Sequence, residues 1–435
     1  MWLLPVFSVL ARVAAKVYYR VRFGGAAVPA MGPVLLVANH PNSLLDPTLV
    51  VASADRPVRF LAKAPLFADP KIAWLMKAAG AIPVYRRSDD PTQMDRNEDA
   101  FRAVFDALGA GSAVGIFPEG ISHSQPAMAP LKTGAARIAL GASHQIGRPF
   151  PIVPIGLTFR AKDVFRSDAL VIRGSPVAWE DLAHRGTADS DAVRELTGRI
   201  DAALRSITVN LDSWEDHPVV ECAVRIWEAE RGEPSREAER IARLEFTTRV
   251  LAHIRSTSDA KGLELLADVR HFDRRLSGLG LKPADLVADI SAGRGIGWAV
   301  RRIHLLLPIG AGLAAVGAAL FWVPYQLTGI VVNRLRLPAD VRSTWKLLVG
   351  IVLYVLWLLA LTLLAGATFG WLGALLTVVL VPLVAMAGLA VREGWRFAWN
   401  DARRFFLLRS RGSLVARLRD EQKRLADRLD ALASR

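Results

Sequence analysis

The chain has 435 residues, of which 52% are hydrophobic, with a mean hydropathy of +0.27 and a formal net charge of +14. That length and apolar content exclude one ordinary soluble domain, and the single cysteine, Cys222, excludes an intrachain disulfide framework and a cysteine-built metal site. The charge demands an anionic partner. Zinc-finger spacing, an RNP-type aromatic motif and basic–aromatic interleaving are all missing, so an anionic lipid surface is expected and nucleic acid is not.

In chain order, Leu3, Phe7, Leu10, Val13 and Val17 recur at helical spacing, while Ser8, Arg12, Lys16 and Arg20 lie along another face. This pattern predicts an amphipathic helix at a membrane interface, within a first region spanning 1–24. No basic n-region precedes the apolar run, so a secretory signal is not expected. From 32 to 174 apolar, β-branched runs at 33–38, 81–84, 113–117, 152–159 and 170–173 alternate with helical stretches at 70–79, 95–108 and 133–145. The alternation predicts an α/β fold, a mixed sheet covered by helices, over 25–210. Loops at strand ends would then carry the chemistry.

The first such loop is Val37-Ala38-Asn39-His40-Pro41-Asn42-Ser43-Leu44-Leu45-Asp46-Pro47. An imidazole becomes a useful base when a carboxylate holds its other nitrogen and offsets the charge that forms. The chain contains no Gly-x-Ser-x-Gly, so His40 and Asp46 point to direct activation of a substrate hydroxyl. Taken alone, the pair reads first as a turn cap and a helix-start residue. Three later blocks give it company: Gly80-Ala81-Ile82-Pro83-Val84-Tyr85-Arg86-Arg87, Ile116-Phe117-Pro118-Glu119-Gly120-Ile121-Ser122-His123-Ser124, and Phe150-Pro151-Ile152-Val153-Pro154-Ile155-Gly156-Leu157.

In this order the four blocks resemble the motifs of the glycerolipid acyltransferase family, the PlsC-like lysophosphatidate and glycerol-3-phosphate acyltransferases. The resemblance covers about 32–206. Two departures stand out. Five residues separate His40 from Asp46, whereas the family commonly has four. On a regular helix six steps rotate by about 240°, so a turn at Pro41-Asn42 and a helix start near Ser43 are expected. The longer spacing, with Ser206-Ile207-Thr208-Val209-Asn210, looks like the yeast-type glycerol-3-phosphate/dihydroxyacetone-phosphate branch. In the third block Ile121-Ser122-His123 stands where the family has Thr-Arg-Ser, so the usual phosphate-gripping arginine is missing.

The resemblance implies that His40 takes a proton from a glycerol phosphate hydroxyl as that oxygen attacks an acyl thioester, while Asp46 orients the ring. Backbone N–H groups near this turn or near Gly120 are candidates for the oxyanion. Arg86 and Arg87 are the candidate phosphate ligands, because a guanidinium can bind phosphate bidentately. Glu119 and Gly120 match the acceptor-binding motif, with Glu119 ordering the loop or a hydroxyl. Lys132, in Pro130-Leu131-Lys132-Thr133-Gly134, is the candidate to replace the missing arginine. No cofactor and no metal are expected; the acyl-CoA or acyl carrier protein is a substrate. The expected acceptor is glycerol 3-phosphate or dihydroxyacetone phosphate, with lysophosphatidate as the alternative. A thioesterase and a non-catalytic membrane scaffold are the readings of another class.

Region 211–300 reads as charged and helical, without assignable chemistry, and Gly293-Arg294-Gly295-Ile296-Gly297 reads as a linker. Region 301–400 is expected to be membrane-embedded. No Asp, Glu, Lys or Arg occurs from 303 to 333 or from 347 to 391. The second stretch is long enough for a helical hairpin turning at 366–373. Arg342 and Lys346 before it, and Arg392, Arg396, Arg403 and Arg404 after it, place both ends and the catalytic part on the cytoplasmic face. The first stretch, holding Pro308 and Pro324, is expected to re-enter or tilt, a single full crossing being the alternative. Leu414, Leu418, Leu425, Leu429 and Leu432 predict a basic amphipathic tail over 401–435 that binds anionic headgroups, with a weak coiled-coil seam as the competing reading.

Overall fold

The structure, a computed structural model, describes residues 3–85, 92, 97–232, 237–288 and 309–433. It divides into two units, the first comprising Met1–Asp216, Ser235–Arg249 and Ala339–Thr344.

The first unit is built on seven strands: β1 (Tyr19–Gly25), β2 (Val34–Ala38), β3 (Val58–Lys63), β4 (Ile82–Val84), β5 (Ala113–Ile116), β6 (Ile152–Phe159) and β7 (Ser167–Arg173). Their order across the sheet is β1-β7-β6-β2-β5-β3-β4. Neighbours run parallel except for β6 and β7, so the sheet is mixed, as expected. All five residues of the central strand β2, Val-Leu-Leu-Val-Ala, are buried, the mark of a strand covered on both faces. Leu35 and Val37 enter a core shared with Val104 and Leu108 of α5 (Asn97–Gly109), Ile138 and Leu140 of α6 (Gly134–Ile146), and Leu196 and Ile200 of α7 (Ser190–Arg205). Outside that cluster, α2 (Leu45–Ala54) packs on β3, β6 and β7 and on α1 (Leu4–Tyr18). Two short helices, α3 (Pro65–Ala68) and α4 (Pro70–Ala78), lead from β3 to β4.

Three expectations are corrected here. The first helix ends at Tyr18, and Tyr19 turns extended to pair with Ser167 as β1 begins. Its outward apolar stripe is Val6, Val9, Leu10 and Val13, each more than half exposed, so of the expected 3-7-10-13-17 face only Leu10 and Val13 lie on it while Leu3, Phe7 and Val17 are half-buried. The opposite side packs inward through Ser8 and Ala15, and the Ser8 hydroxyl meets its own need by donating to the Leu4 carbonyl at 2.8 Å. The second helix starts at Leu45, because Ser43 adopts a left-handed φ of 47° that absorbs the extra residue of the His40–Asp46 spacing.

The second unit comprises His217–Pro234, Val250–Pro338 and Trp345–Arg435. Its compact part joins α8 (His217–Arg231), α10 (Ala260–Leu279), α11 (Pro283–Val287) and α14 (Gly412–Ala433), with α9 (Glu237–Thr257) between the first two in sequence. Val219, Cys222, Ile226, Val269, Phe272, Leu418 and Leu425 form one buried cluster. The leucine face of 401–435 is therefore used inside a bundle with residues from 217–287. A helix that packs on helices and one that lies on lipid have the same apolar periodicity.

Two further helices, α12 (Ile309–Arg334) and α13 (Ala339–Ser410), are long and apolar enough to cross a bilayer. The described part of 303–333 lies in one continuous helix of 26 residues, Ile309–Arg334, about 39 Å long, which Pro324 does not break. Pro324 lacks an N–H for the carbonyl of Leu320, and the indole N–H of Trp357 donates to that oxygen at 2.7 Å. The expected turn at 366–373 is present. Gly370 takes φ 71° and ψ −169°, and a Cβ on Gly373 would lie 2.8 Å from the Ala365 carbonyl oxygen, so the chain doubles back there. The run 293–297 lies outside the described residues.

Candidate active site

Strands β2, β3, β4, β5 and β6 run the same way, and their carboxyl ends share one edge of the sheet. In such sheets ligands bind beyond that edge. His40 stands two residues past β2 and Glu119 three residues past β5; Asn39 ties β2 to β6 through paired hydrogen bonds with the Leu157 backbone of 3.0 and 2.7 Å.

The expected dyad forms. The Nδ1–H of His40 donates to Asp46 Oδ2 at 2.9 Å, which leaves the Nε2 lone pair to accept a proton. The Asn42 N–H donates to the same oxygen at 2.7 Å. Asp46 is buried, and burial pushes its carboxyl above the ordinary range, while His40 and the Asn42 N–H act in the opposite direction. The imidazole stacks on Phe117 with ring centres 4.0 Å apart and planes inclined by 12°. Phe117 in turn lies against Phe60, which occupies the space a Cβ would fill at Gly115.

Glu119 clamps the loops together. Its Oε1 accepts the His40 N–H at 2.7 Å, and its Oε2 accepts the Ala129 N–H at 2.7 Å and His123 Nε2–H at 2.5 Å. The Gln125 N–H donates to His123 Nδ1 at 3.2 Å, which fixes that tautomer. A carboxylate so enclosed orders the loop. Gly120 has φ 70°, and a side chain there would meet the Lys132 ammonium and stem at 2.9 Å. Lys132 is exposed, and its N–H is anchored to the Pro118 carbonyl at 2.8 Å. His40 and Asp46, on the turn after β2 and the first turn of α2, thus stand beside Glu119, Gly120 and Lys132 of the loop after β5. Arg86 and Arg87 lie outside the described residues; Tyr85 before them is tied to Asn97 by hydrogen bonds of 2.9 and 2.7 Å. Among the described residues no cluster of three or more His, Cys, Asp or Glu side chains is arranged to hold a metal ion.

The turn N–H groups considered for the oxyanion are occupied. His40 and Asn42 donate to carboxylates, Ser43 to Ser122 Oγ at 3.0 Å, Leu44 to Thr344 Oγ1 at 3.2 Å, and Leu45 and Asp46 to carbonyls within the turn. Several contributors escaped the sequence reading. Lys162 donates to the Pro41 carbonyl at 2.9 Å and to Ser124 Oγ at 2.6 Å, and burial lowers its pKa against the pull of Asp340 and Asp46. Its place three residues beyond β6 was a usable signal. Asn42 donates through Nδ2 to the Tyr19 hydroxyl at 2.6 Å, a contact no local pattern reveals.

Residues 20–158 match the family model described as Acyltransferase. Glycerol-3-phosphate O-acyltransferases 2 and 1 of Saccharomyces cerevisiae are 27% and 29% identical over 59% and 60% of this chain. The matched part spans about a third of each yeast relative, 36% and 37% of their lengths. A solved structure, the 1-acyl-sn-glycerophosphate (LPA) acyltransferase PlsC of Thermotoga maritima, is similar over 47% of this chain and 78% of that one, at 18% identity and a TM-score of 0.35. The similarity to the acyltransferase family thus lies in residues 20–158, the part of the chain that holds the site.

Proposed function

We propose that this protein is a membrane-bound O-acyltransferase that moves a fatty acyl group from an acyl thioester to a hydroxyl of a glycerol phosphate. The observation that carries the reading is the 2.9 Å pair of His40 and the buried Asp46 at the end of the central strand. The hydroxyl proton passes to His40 Nε2 while that oxygen attacks the thioester carbonyl carbon. Collapse of the tetrahedral intermediate breaks the C–S bond, and the imidazolium proton goes to the departing thiolate. Asp46 holds the ring and offsets the charge it gains.

Glycerol 3-phosphate is the proposed acceptor, supported by the His40–Asp46 spacing and by the names of the two yeast relatives. Lys132, Arg86 and Arg87 are the proposed phosphate ligands, and acyl-CoA or an acyl carrier protein is the donor substrate. No further cofactor is invoked. The outward stripe of Val6, Val9, Leu10 and Val13 supports an interfacial α1, and the exposed side chains Leu363, Leu364 and Phe369 support lipid around α13. The basic flanks at Arg342, Lys346 and Arg392 support a cytoplasmic catalytic face and contact with anionic headgroups.

The test uses purified full-length protein in detergent, labelled palmitoyl-CoA, and glycerol 3-phosphate, lysophosphatidate or no acceptor, for wild type and His40→Ala. Transfer to glycerol 3-phosphate that is lost in the variant supports the reading. Transfer to lysophosphatidate alone would change the acceptor. Acceptor-independent release of fatty acid would make the protein a thioesterase, and equal turnover in His40→Ala would remove the base.

A further inference from the structure

The first turn of α13, Ala339–Thr344, belongs to the same unit as the catalytic sheet. Ser343 is wholly buried there and donates its hydroxyl proton to Asn42 Oδ1. Thr344 Oγ1 accepts the Leu44 N–H at 3.2 Å, and Arg342 pairs with Asp163 at 3.3 Å. Asn42 is also wholly buried; its side-chain amide is held between Ser343 and Tyr19, and its backbone N–H donates to Asp46 Oδ2 at 2.7 Å. Two hydroxyls some 300 positions downstream thus hydrogen-bond to the His40–Asp46 turn, at Asn42 and Leu44. Without Ser343 the Asn42 amide oxygen is buried and unpaired, and the residue gains by turning away to find a partner. That movement withdraws an N–H from Asp46, which then orients His40 less firmly.

We infer that Ser343 and Thr344 are positioning residues: the seated first turn of the long apolar helix holds Asn42 and Leu44, and through them the Asp46–His40 pair, in reactive geometry. This rests on the acyltransferase reading above. Both residues act through Asn42 and Leu44, so the effect belongs in kcat and not in KM.

The experiment measures steady-state acyl transfer from palmitoyl-CoA to glycerol 3-phosphate and to lysophosphatidate by the full-length enzyme, using whichever acceptor the wild type accepts. The variants are Ser343→Ala, Thr344→Val, Asn42→Ala and the double variant Ser343→Ala/Asn42→Ala. Ser343→Ala should lower kcat by about tenfold, with both KM values within about twofold of wild type. In the Asn42→Ala background the same change should cost less than about twofold, because the amide through which Ser343 acts is already gone. Unchanged kcat in Ser343→Ala and Thr344→Val, or losses that multiply in the double variant, would overturn the proposal. If Ser343→Ala does not fold, the near-isosteric Thr344→Val decides: a kcat loss of several-fold at unchanged KM supports the proposal, and wild-type kcat overturns it. A wild type that transfers acyl groups to neither acceptor defeats the acyltransferase reading itself, an outcome distinct from active wild type with indifferent variants.

Discussion

In the first unit the carboxylates of Asp46 and Glu119 are 0% and 2% exposed; an imidazole and one backbone N–H hold Asp46, and an imidazole and two backbone N–H groups hold Glu119. In the helical unit Arg275 meets Glu421 and Arg428 meets Asp268, both at 2.6 Å, with side chains between 24% and 45% exposed. Exposed pairs of the second kind are screened by water and contribute little. Buried carboxylates of the first kind are costly to bury, and breaking their partners is costlier still. The contrast fits the proposed dyad, because burial of charge is tolerated where chemistry needs a carboxylate in fixed geometry and a low dielectric.

Substitutions can break or sharpen that contrast. The largest effect is expected from His40→Ala, which should lower kcat by about 10³–10⁴, far more than the accompanying loss of stability from leaving Asp46 without its imidazole partner accounts for. Glu119→Gln comes next. Its amide must turn donors either on the His40 N–H or on the Ala129 and His123 donors, so about 1–3 kcal/mol of stability should be lost, and calorimetry checks it. Gly115→Ala should cost about as much, or somewhat less, because the new methyl would lie 2.4 Å from the Phe60 ring and press it towards Phe117. Denaturant titration would reveal that loss together with reduced acyl transfer. Arg428→Ala should be the mildest, under about 1 kcal/mol and without effect on turnover. A loss from Arg428→Ala equal to that from Glu119→Gln would dissolve the distinction between the two units.

Much of the catalytic unit was legible in the sequence. Strands β2, β5 and β6 are short apolar runs rich in branched residues, and Ile152–Phe159 has the expected limits. Strands β1 and β3 were missed because Arg20, Arg22 and Arg59 interrupt their apolar residues, and β1 lies at the sheet edge where such side chains reach water. His40, Asp46 and Glu119 were legible because four blocks stand in one order. Ser343 was not, since a contact between residues 42 and 343 leaves no local pattern. The 401–435 segment was ambiguous for a different reason: its leucines would look the same against lipid or against the bundle they join.

The most direct test of the account concerns Asp46→Asn. Burial raises the Asp46 carboxyl in the folded protein, with His40 opposing the shift. A carboxyl raised on folding binds its proton more readily in the folded chain than in the unfolded one. Its contribution to stability is therefore full below the unfolded-state pKa and lost as pH rises through the folded-state pKa. At neutral pH the ionised Asp46 serves the imidazole at some cost to the fold. Measured on the same preparations, Asp46→Asn should lower acyl transfer by about 10²–10³, keep a melting temperature at neutral pH no lower than wild type, and flatten the change of stability with pH. Transfer within threefold of wild type, or activity and stability falling together, would contradict the claim that this buried carboxylate is kept for chemistry.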